Sequence, residues 1–358
     1  MELPDAESGT LVRGTLDATD FPTGGTESLP VLVAEGSESG PTLWLTGGVH
    51  GDEATGVAVA QDAVRADLPA RLHGTVVSVP VVNPAGLRRN DRQSYYGDDD
   101  PNRYFPDPES SSARPPEVQE RIDRRLYDLL VESADALVDL HTAQVGSVPF
   151  SIRDRVLYGD RRDEVGAEVL AEALSGLVSA FGLPAVTEYP TDEYLDESLQ
   201  RSTAGAVLNG AGIPAFTAEL GGHSVVDDRW RRAGVAGVYG VLSHLDMLDS
   251  VPDDVPAPGS GVPDAPVDFG VRRFVGPRTE VAGLVRHRVE PGDAVESGQV
   301  VAEVVGPAGE SRGEVTSDHD GYVLGLAEGL AVYEGDPVAS MAVRDEARLV
   351  GPREAPTP

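Results

Sequence analysis

Thr46-Gly47-Gly48-Val49-His50-Gly51-Asp52-Glu53 follows the apolar run Leu43-Trp44-Leu45 and precedes a helix-compatible segment, residues 54–64. The apolar run predicts a buried strand, and the glycines mark a sharp strand-to-helix turn. In open α/β sheets such turns, at the carboxyl ends of strands, are where ligands sit. His50 and Glu53 lie three residues apart on this turn. An imidazole nitrogen and a carboxylate oxygen at that spacing can converge on one metal ion, and the combination suits zinc. The same pair also fits a plain turn histidine and a first-turn helix acid favoured by the macrodipole. The rest of the chain has to decide between them.

Outward from the turn, Thr75-Val76-Val77-Ser78-Val79-Pro80-Val81-Val82 is β-branched and predicts a second buried strand. Strand, helix, strand in that order predicts a βαβ unit and a mostly parallel sheet. Upstream, residues 1–42 hold short apolar stretches between Gly, Pro, Ser and acids, with Val31-Leu32-Val33-Ala34 the best strand candidate. Downstream, residues 83–116 read as one long loop, and a loop of that length in a compact domain is usually functional or disordered. Residues 117–132 place Val118, Ile122, Leu126, Leu129 and Leu130 on one helical face. Residues 136–140 predict a strand ending at His141, residues 164–181 a helix, and residues 202–208 a short one. Residues 213–220 predict a strand running into Gly221-Gly222, and residues 228–248 a closing helix.

The expected organisation is an α/β domain over residues 1–250, with helices on both faces of a mixed, mostly parallel sheet. A Pro-, Gly- and Asp-rich linker or surface crossing follows at 251–268. Residues 269–345 show short Val-rich runs between Gly-Asp and Ser-Gly turns, which predicts a small all-β domain. Residues 346–358 read as a polar tail.

The chain has 358 residues, with 40% hydrophobic and only 5% aromatic residues, so its core is expected to be mostly Val, Leu and Ala. No apolar run reaches the roughly 18–20 residues of a membrane span. The start, Met1-Glu2-Leu3-Pro4-Asp5, lacks a charged-then-apolar leader pattern, and a cytoplasmic location is expected. There is no Cys, so any metal site must use His, Asp and Glu, and there are only seven His. The net charge is −32 and all 28 basic residues are Arg. Such a surface repels nucleic acid and anionic membranes, so neither is expected as a partner. Acid excess without Lys suits high salt, where screening suppresses self-repulsion.

Two further polar residues fall at predicted strand ends: His141 after Val138-Asp139-Leu140, and Glu219 after Phe216-Thr217-Ala218. With the His50–Glu53 turn they form a set on one rim of the sheet. Zinc hydrolases use three protein ligands and leave a position for water. His50, Glu53 and His141 are the candidate ligands, and Glu219 is the candidate general base. Asp139 reads either as an orienting partner for a ligand imidazole or as an ordinary strand-end residue. The long loop carries Arg88, Arg89, Arg92 and Arg103. Arginine grips carboxylates and stabilises oxyanions. Arg88 and Arg89 read more simply as neutralising Asp91 and Asp98-Asp99-Asp100. His73, His244, His287 and His319 lie away from the strand ends, and His223 is left outside the set although it follows Gly221-Gly222.

Together, Gly47-Gly48-Val49-His50-Gly51-Asp52-Glu53, Asn83-Pro84, Asn102-Arg103-Tyr104-Phe105-Pro106, Asp139-Leu140-His141 and Thr217-Ala218-Glu219-Leu220-Gly221-Gly222 resemble the succinylglutamate desuccinylase/aspartoacylase family. That family belongs to the zinc carboxypeptidase-like superfamily. The motifs occur in family order and span most of residues 40–250. The resemblance implies a carboxypeptidase-like fold and one zinc per chain, held by His50, Glu53 and His141. It implies Glu219 as general base and acid, and Asn102 and Arg103 as ligands of a substrate carboxylate. It also implies an arginine after Asn83-Pro84 that polarises the scissile carbonyl. Asn90-Asp91-Arg92 fits best, so that role goes to Arg92, with Arg89 as the fallback. Ser94 to Pro101 is longer and more acidic than the family spacing. The C-terminal region resembles the family's β-domain and, more loosely, a lipoyl-type fold, but a carrier domain needs a modifiable Lys and none exists.

The expected activity is zinc-dependent hydrolysis of an amide in a small substrate that carries a carboxylate, such as an N-acyl amino acid. The alternatives are a metallocarboxypeptidase on short peptides and a non-catalytic metal- or ligand-binding homologue. Oligomerisation is left open.

Overall fold

The computed structural model describes residues 1–108 and 114–353. The chain opens with a hairpin, β1 (Thr10–Asp20) and β2 (Thr26–Glu35), then β3 (Glu38–Gly47), α1 (Ala54–Asp62) and β4 (His73–Val79). The expected long loop contains the one-turn helix α2 (Pro84–Leu87) and a 3₁₀ turn at Pro101–Arg103. Next come α3 (Val118–Ser133), β5 (Ala136–Ala143), β6 (Phe150–Arg153), β7 (Val156–Tyr158), α4 (Glu164–Phe181) and β8 (Ala185–Thr187). Then follow α5 (Thr191–Asp196), α6 (Thr203–Gly205), β9 (Ala215–Gly222) and α7 (Asp228–His244).

The C-terminal part is all strand: β10 (Val271–Val275), β11 (Gly283–His287), β12 (Ala294–Val295), β13 (Val300–Val305) and β14 (Ser311–Thr316). β15 (Gly321–Leu326), β16 (Ala331–Val332), β17 (Ala339–Arg344) and β18 (Val350–Pro352) complete it. No helix among the described residues is long and apolar enough to cross a membrane.

Twelve strands form one sheet in the order β1-β2-β4-β3-β5-β9-β6-β8-β10-β17-β15-β12. Its centre, β4-β3-β5-β9, is parallel. The hairpin at one edge and the β9–β6 pairing are antiparallel. The fold is therefore a mixed α/β sheet, as expected. The centre is largely apolar, as expected of strands covered on both faces: Leu43, Trp44, Leu45, Leu137, Val138 and Phe216 are fully buried. Of the first hairpin, only Val31–Ala34 reads as strand in the sequence. β1 is an edge strand whose Arg13, Asp17 and Thr residues interrupt any apolar run.

The sheet does not stop where the α/β part ends. β8 pairs with β10 in parallel, with Arg272 opposite Thr187. Phe150, Ile152 and Val186 share a core with Val271, Tyr322, Leu324 and Ala342. A second sheet, β14-β13-β11-β16, packs a Val-rich core against the strands that continue the first. Residues 251–268 carry turns and no helix or strand. The expected tail instead carries β18, which pairs with β7. Val350 is buried in the main core, a contribution of about 1.5–3 kcal/mol that a polar reading of the tail overlooks. Residues 354–358 lie outside the described residues.

Candidate functional site

The turn after β3 is shaped by two glycines. Gly48 has φ +57°, a conformation side chains resist. A Cβ on Gly51 would lie 2.0 Å from the Gly86 carbonyl carbon, so only glycine lets the turn lie against α2. This compact turn sets His50 and Glu53 facing β5. Glu53 is the N-cap of α1, yet its side chain makes no capping bond. Its Oε1 lies 2.6 Å from His50 Nδ1, and its Oε2 lies 2.8 Å from His141 Nδ1 and accepts the Thr142 N–H at 3.0 Å. A carboxylate so placed is not simply a helix acid.

His50, Glu53 and His141 are all buried, and their ligand atoms lie within 4.8 Å of one another. The far nitrogen of each ring is also fixed. His141 Nε2 lies 2.7 Å from Asp139 Oδ2, and Asp139 Oδ1 accepts the Thr46 hydroxyl at 2.7 Å. His50 Nε2 lies 3.0 Å from Asp100 Oδ1. Each Nδ1 thus faces Glu53 while each Nε2 faces a carboxylate, so protons held on Nε2 would leave both Nδ1 lone pairs to a metal ion. Burial opposes charge on His141, but Asp139 and Glu53 outweigh it and hold the ring well above its usual range. Burial likewise opposes ionisation of Glu53, and the two imidazoles outweigh it and draw the carboxyl down. The pocket is built to hold positive charge, and two imidazole nitrogens with one carboxylate are a donor set suited to zinc.

Glu219 is opposite His141 in the β5–β9 register. Its Oε2 is buried without a hydrogen-bond partner. Burial, then the charge of Glu53, raises its carboxyl above the usual range. All seven expected site residues, His50, Glu53, Arg92, Asn102, Arg103, His141 and Glu219, line one cavity of about 410 Å³.

The arginines divide. Arg92 Nη1 lies 3.3 Å from Glu53 Oε1, and its Nη2 lies 3.1 Å from Asp100 Oδ2. Arg88 pairs at 2.6 Å with Glu27, not with Asp91 or the acidic run. Arg89 stands over the Tyr95 ring, 6.0 Å from its centroid. Asn102 Oδ1 accepts from the Thr203 N–H at 2.8 Å and its hydroxyl at 3.1 Å, which leaves the amide NH₂ as its remaining donors. Arg103 donates to the carbonyls of Asn102 (2.7 Å) and Glu197 (3.1 Å).

Several lining groups escape the sequence reading. Asp100, part of the run taken as mere counter-charge to arginine, holds His50 and Arg92 and caps the turn carrying Asn102, whose N–H it accepts at 2.8 Å. His223 lines the mouth, with Nε2 2.7 Å from Glu328 Oε1. Asp154 and Glu188 line a deeper wall, and Arg273 and Ser340 reach the cavity from β10 and β17. Phe150, Ile152 and Asp154 fall at alternate positions, but β6 is only four residues long and ends at Arg153, too short for that spacing to read as a signal. Arg273 carries no signal either, because only the β8–β10 pairing brings it there.

N-alpha-acetyl-L-2,4-diaminobutyric acid deacetylase of Halomonas elongata is 29% identical over 329 residues, 89% of this chain and 86% of that protein. A succinylglutamate desuccinylase/aspartoacylase of Rhodobacter sphaeroides has the same fold, with TM-score 0.73 and 24% identity over 96% of this chain and 99% of that one. The product-bound ectoine utilization protein EutE of Ruegeria pomeroyi superposes with TM-score 0.72 and 21% identity, over 93% and 95% of the two chains. The family model of the succinylglutamate desuccinylase/aspartoacylase catalytic domain matches residues 39–245. By that match, which covers more than half its length, the chain belongs to the succinylglutamate desuccinylase/aspartoacylase family.

Proposed function

We propose that this protein is a zinc-dependent deacylase that hydrolyses the amide of an N-acyl amino acid. Family membership supports amide-bond deacylation. The single observation that carries the metal is the convergence of His50 Nδ1, His141 Nδ1 and the Glu53 carboxylate, with each far imidazole nitrogen held by a carboxylate. Bound by His50, Glu53 and His141, zinc would supply Lewis acidity at the scissile carbonyl. Glu219, whose Oε2 has no competing partner, takes the proton of the attacking water and returns it to the leaving amine nitrogen. Its raised carboxyl suits both halves of that transfer. Arg92 directs its guanidinium into the cavity to stabilise the developing oxyanion. Asn102, through its amide NH₂, and Arg103 hold the substrate carboxylate. The name of the Halomonas elongata relative, an acetyl-amino acid deacetylase, supports the substrate class. Residues 1–250 form the hydrolytic unit in this reading, and residues 269–345 form a β-unit that walls its cavity.

The test is metal content by mass spectrometry, paired with turnover of N-acetyl and N-succinyl amino acids. One zinc per chain, lost in His141→Ala together with turnover, is the expected result. No stoichiometric metal in zinc-supplied wild type would overturn the reading.

A further inference from the structure

The cavity holds charged groups that the proposed chemistry does not use. Arg92 is matched by Glu53 and Asp100, and Arg273 by Glu188 at 2.8 Å. Glu328 is matched by His223. With Glu219 set aside, two lining groups of opposite sign have no counter-charge within 4.0 Å among the described residues. One is Arg103, assigned above to the substrate carboxylate. The other is Asp154, which is only 3% exposed and whose one hydrogen bond is from the neutral Tyr194 hydroxyl, at 2.9 Å. A buried carboxyl with a single neutral partner is costly to keep unless something else meets it.

Its position shows what that partner would be. In the β6–β9 pairing Phe150 is level with Glu219 and Ile152 with Thr217. Asp154 comes two residues after Ile152, just past the end of β6, and lines the same cavity. Phe150 and Ile152 supply apolar wall along the strand that leads from the level of Glu219 to Asp154, and Leu199 adds apolar lining to the same cavity. An apolar strip ending at one buried acid fits a methylene chain ending in a cation.

We propose that Asp154 binds a second, free ammonium group on the substrate side chain, so that the enzyme selects N-acyl diamino acids over N-acyl amino acids with neutral side chains. This specificity rests on the deacylase reading. Burial, then the neighbouring Glu188, lifts the Asp154 carboxyl to about 7, and a bound ammonium offsets both.

The experiment compares kcat/KM of the zinc-loaded protein for Nα-acetyl derivatives of 2,4-diaminobutyrate, ornithine and lysine with those of norvaline and norleucine. Wild type is expected to prefer one of the cationic substrates about tenfold or more. Asp154→Asn, which keeps an acceptor for Tyr194, is expected to abolish that preference through KM. Its kcat/KM for the neutral substrates should stay within about twofold. Equal or better use of the neutral substrates by wild type overturns the subsite and leaves the deacylase reading standing, whether or not the variant folds. A folded Asp154→Asn that keeps the cationic preference also overturns it. Hydrolysis of neither class, whether as the Nα-acetyl or the Nα-succinyl derivative, overturns the deacylase reading and the subsite with it.

Discussion

Asp139 Oδ2 lies 2.7 Å from His141 Nε2, and the two residues share one strand and one face. The strand itself therefore fixes the ring's orientation and favours a proton on Nε2. Thr46, on the adjacent strand, anchors the other carboxylate oxygen.

Replacing Asp139 by Asn removes the charge while keeping the shape. Zinc affinity should fall about 10–100-fold, measured by competition with a chromophoric chelator. An unchanged affinity would make Asp139 a plain strand residue.

Glu219→Gln should lower kcat by at least about 10²–10⁴-fold and leave one zinc per chain bound. Turnover near the wild-type rate would remove Glu219 from the proton transfers. Loss of zinc in this variant would make Glu219 a ligand instead.

Arg92→Ala should lower kcat about 10²–10³-fold, whereas Arg89→Ala should change kcat/KM by less than about twofold. Arg92 faces Glu53 in the cavity and Arg89 faces Tyr95 outside it. Equal losses in the two variants would contradict this division of the loop.

Asp123 supplies a pH test independent of the metal. It is fully buried on α3, where Gln119 donates to it at 2.8 Å and its Oδ2 has no partner. Burial raises its carboxyl well above the usual range, and Glu120 adds to this against the Gln119 bond. A folded-state pKa above the unfolded value means the protonated acid stabilises the fold. That contribution is complete below the unfolded pKa, about 3.9, and is lost as pH rises toward the folded value. Asp123→Asn should therefore be more stable than wild type at neutral pH, by on the order of 1–3 kcal/mol, with the gap closing toward pH 4. Urea midpoints at pH 4 to 8 measure this, and a gap that does not change with pH would refute it.

The parts legible in the sequence are those written locally. The β3–α1 turn announces itself through glycines and an apolar run, and His141 and Glu219 stand where short β-rich runs end. Strand-end residues on parallel neighbours meet at one rim, so three distant segments could be joined without coordinates. Asp100 was hidden because, in so acidic a loop, one aspartate looks like any other. Its role comes from distances to His50 and Arg92 that spacing does not encode. Asp154, Glu188 and Arg273 were hidden for a different reason. Their alignment depends on the order β6-β8-β10, and two of these strands are only three or four residues long. A pattern of period two cannot be recognised in so few residues. His223 needed the far side of the cavity mouth, which Glu328 provides from a loop more than 100 residues away.

The continuation of the main sheet from β8 into β10 bears on how this chain can be taken apart. A cut in residues 251–268 looks like a natural place to separate two units. It would leave β8 with an unpaired backbone edge and Phe150, Ile152 and Val186 stripped of their cover. The same cut would remove Arg273 and leave Glu188 as a buried, uncompensated acid beside the catalytic cavity. The C-terminal strands are therefore not interchangeable cargo on a tether. A shortened or chimeric chain would need a new edge strand and a new cation for Glu188 before its amino-terminal part could stay soluble and keep its cavity.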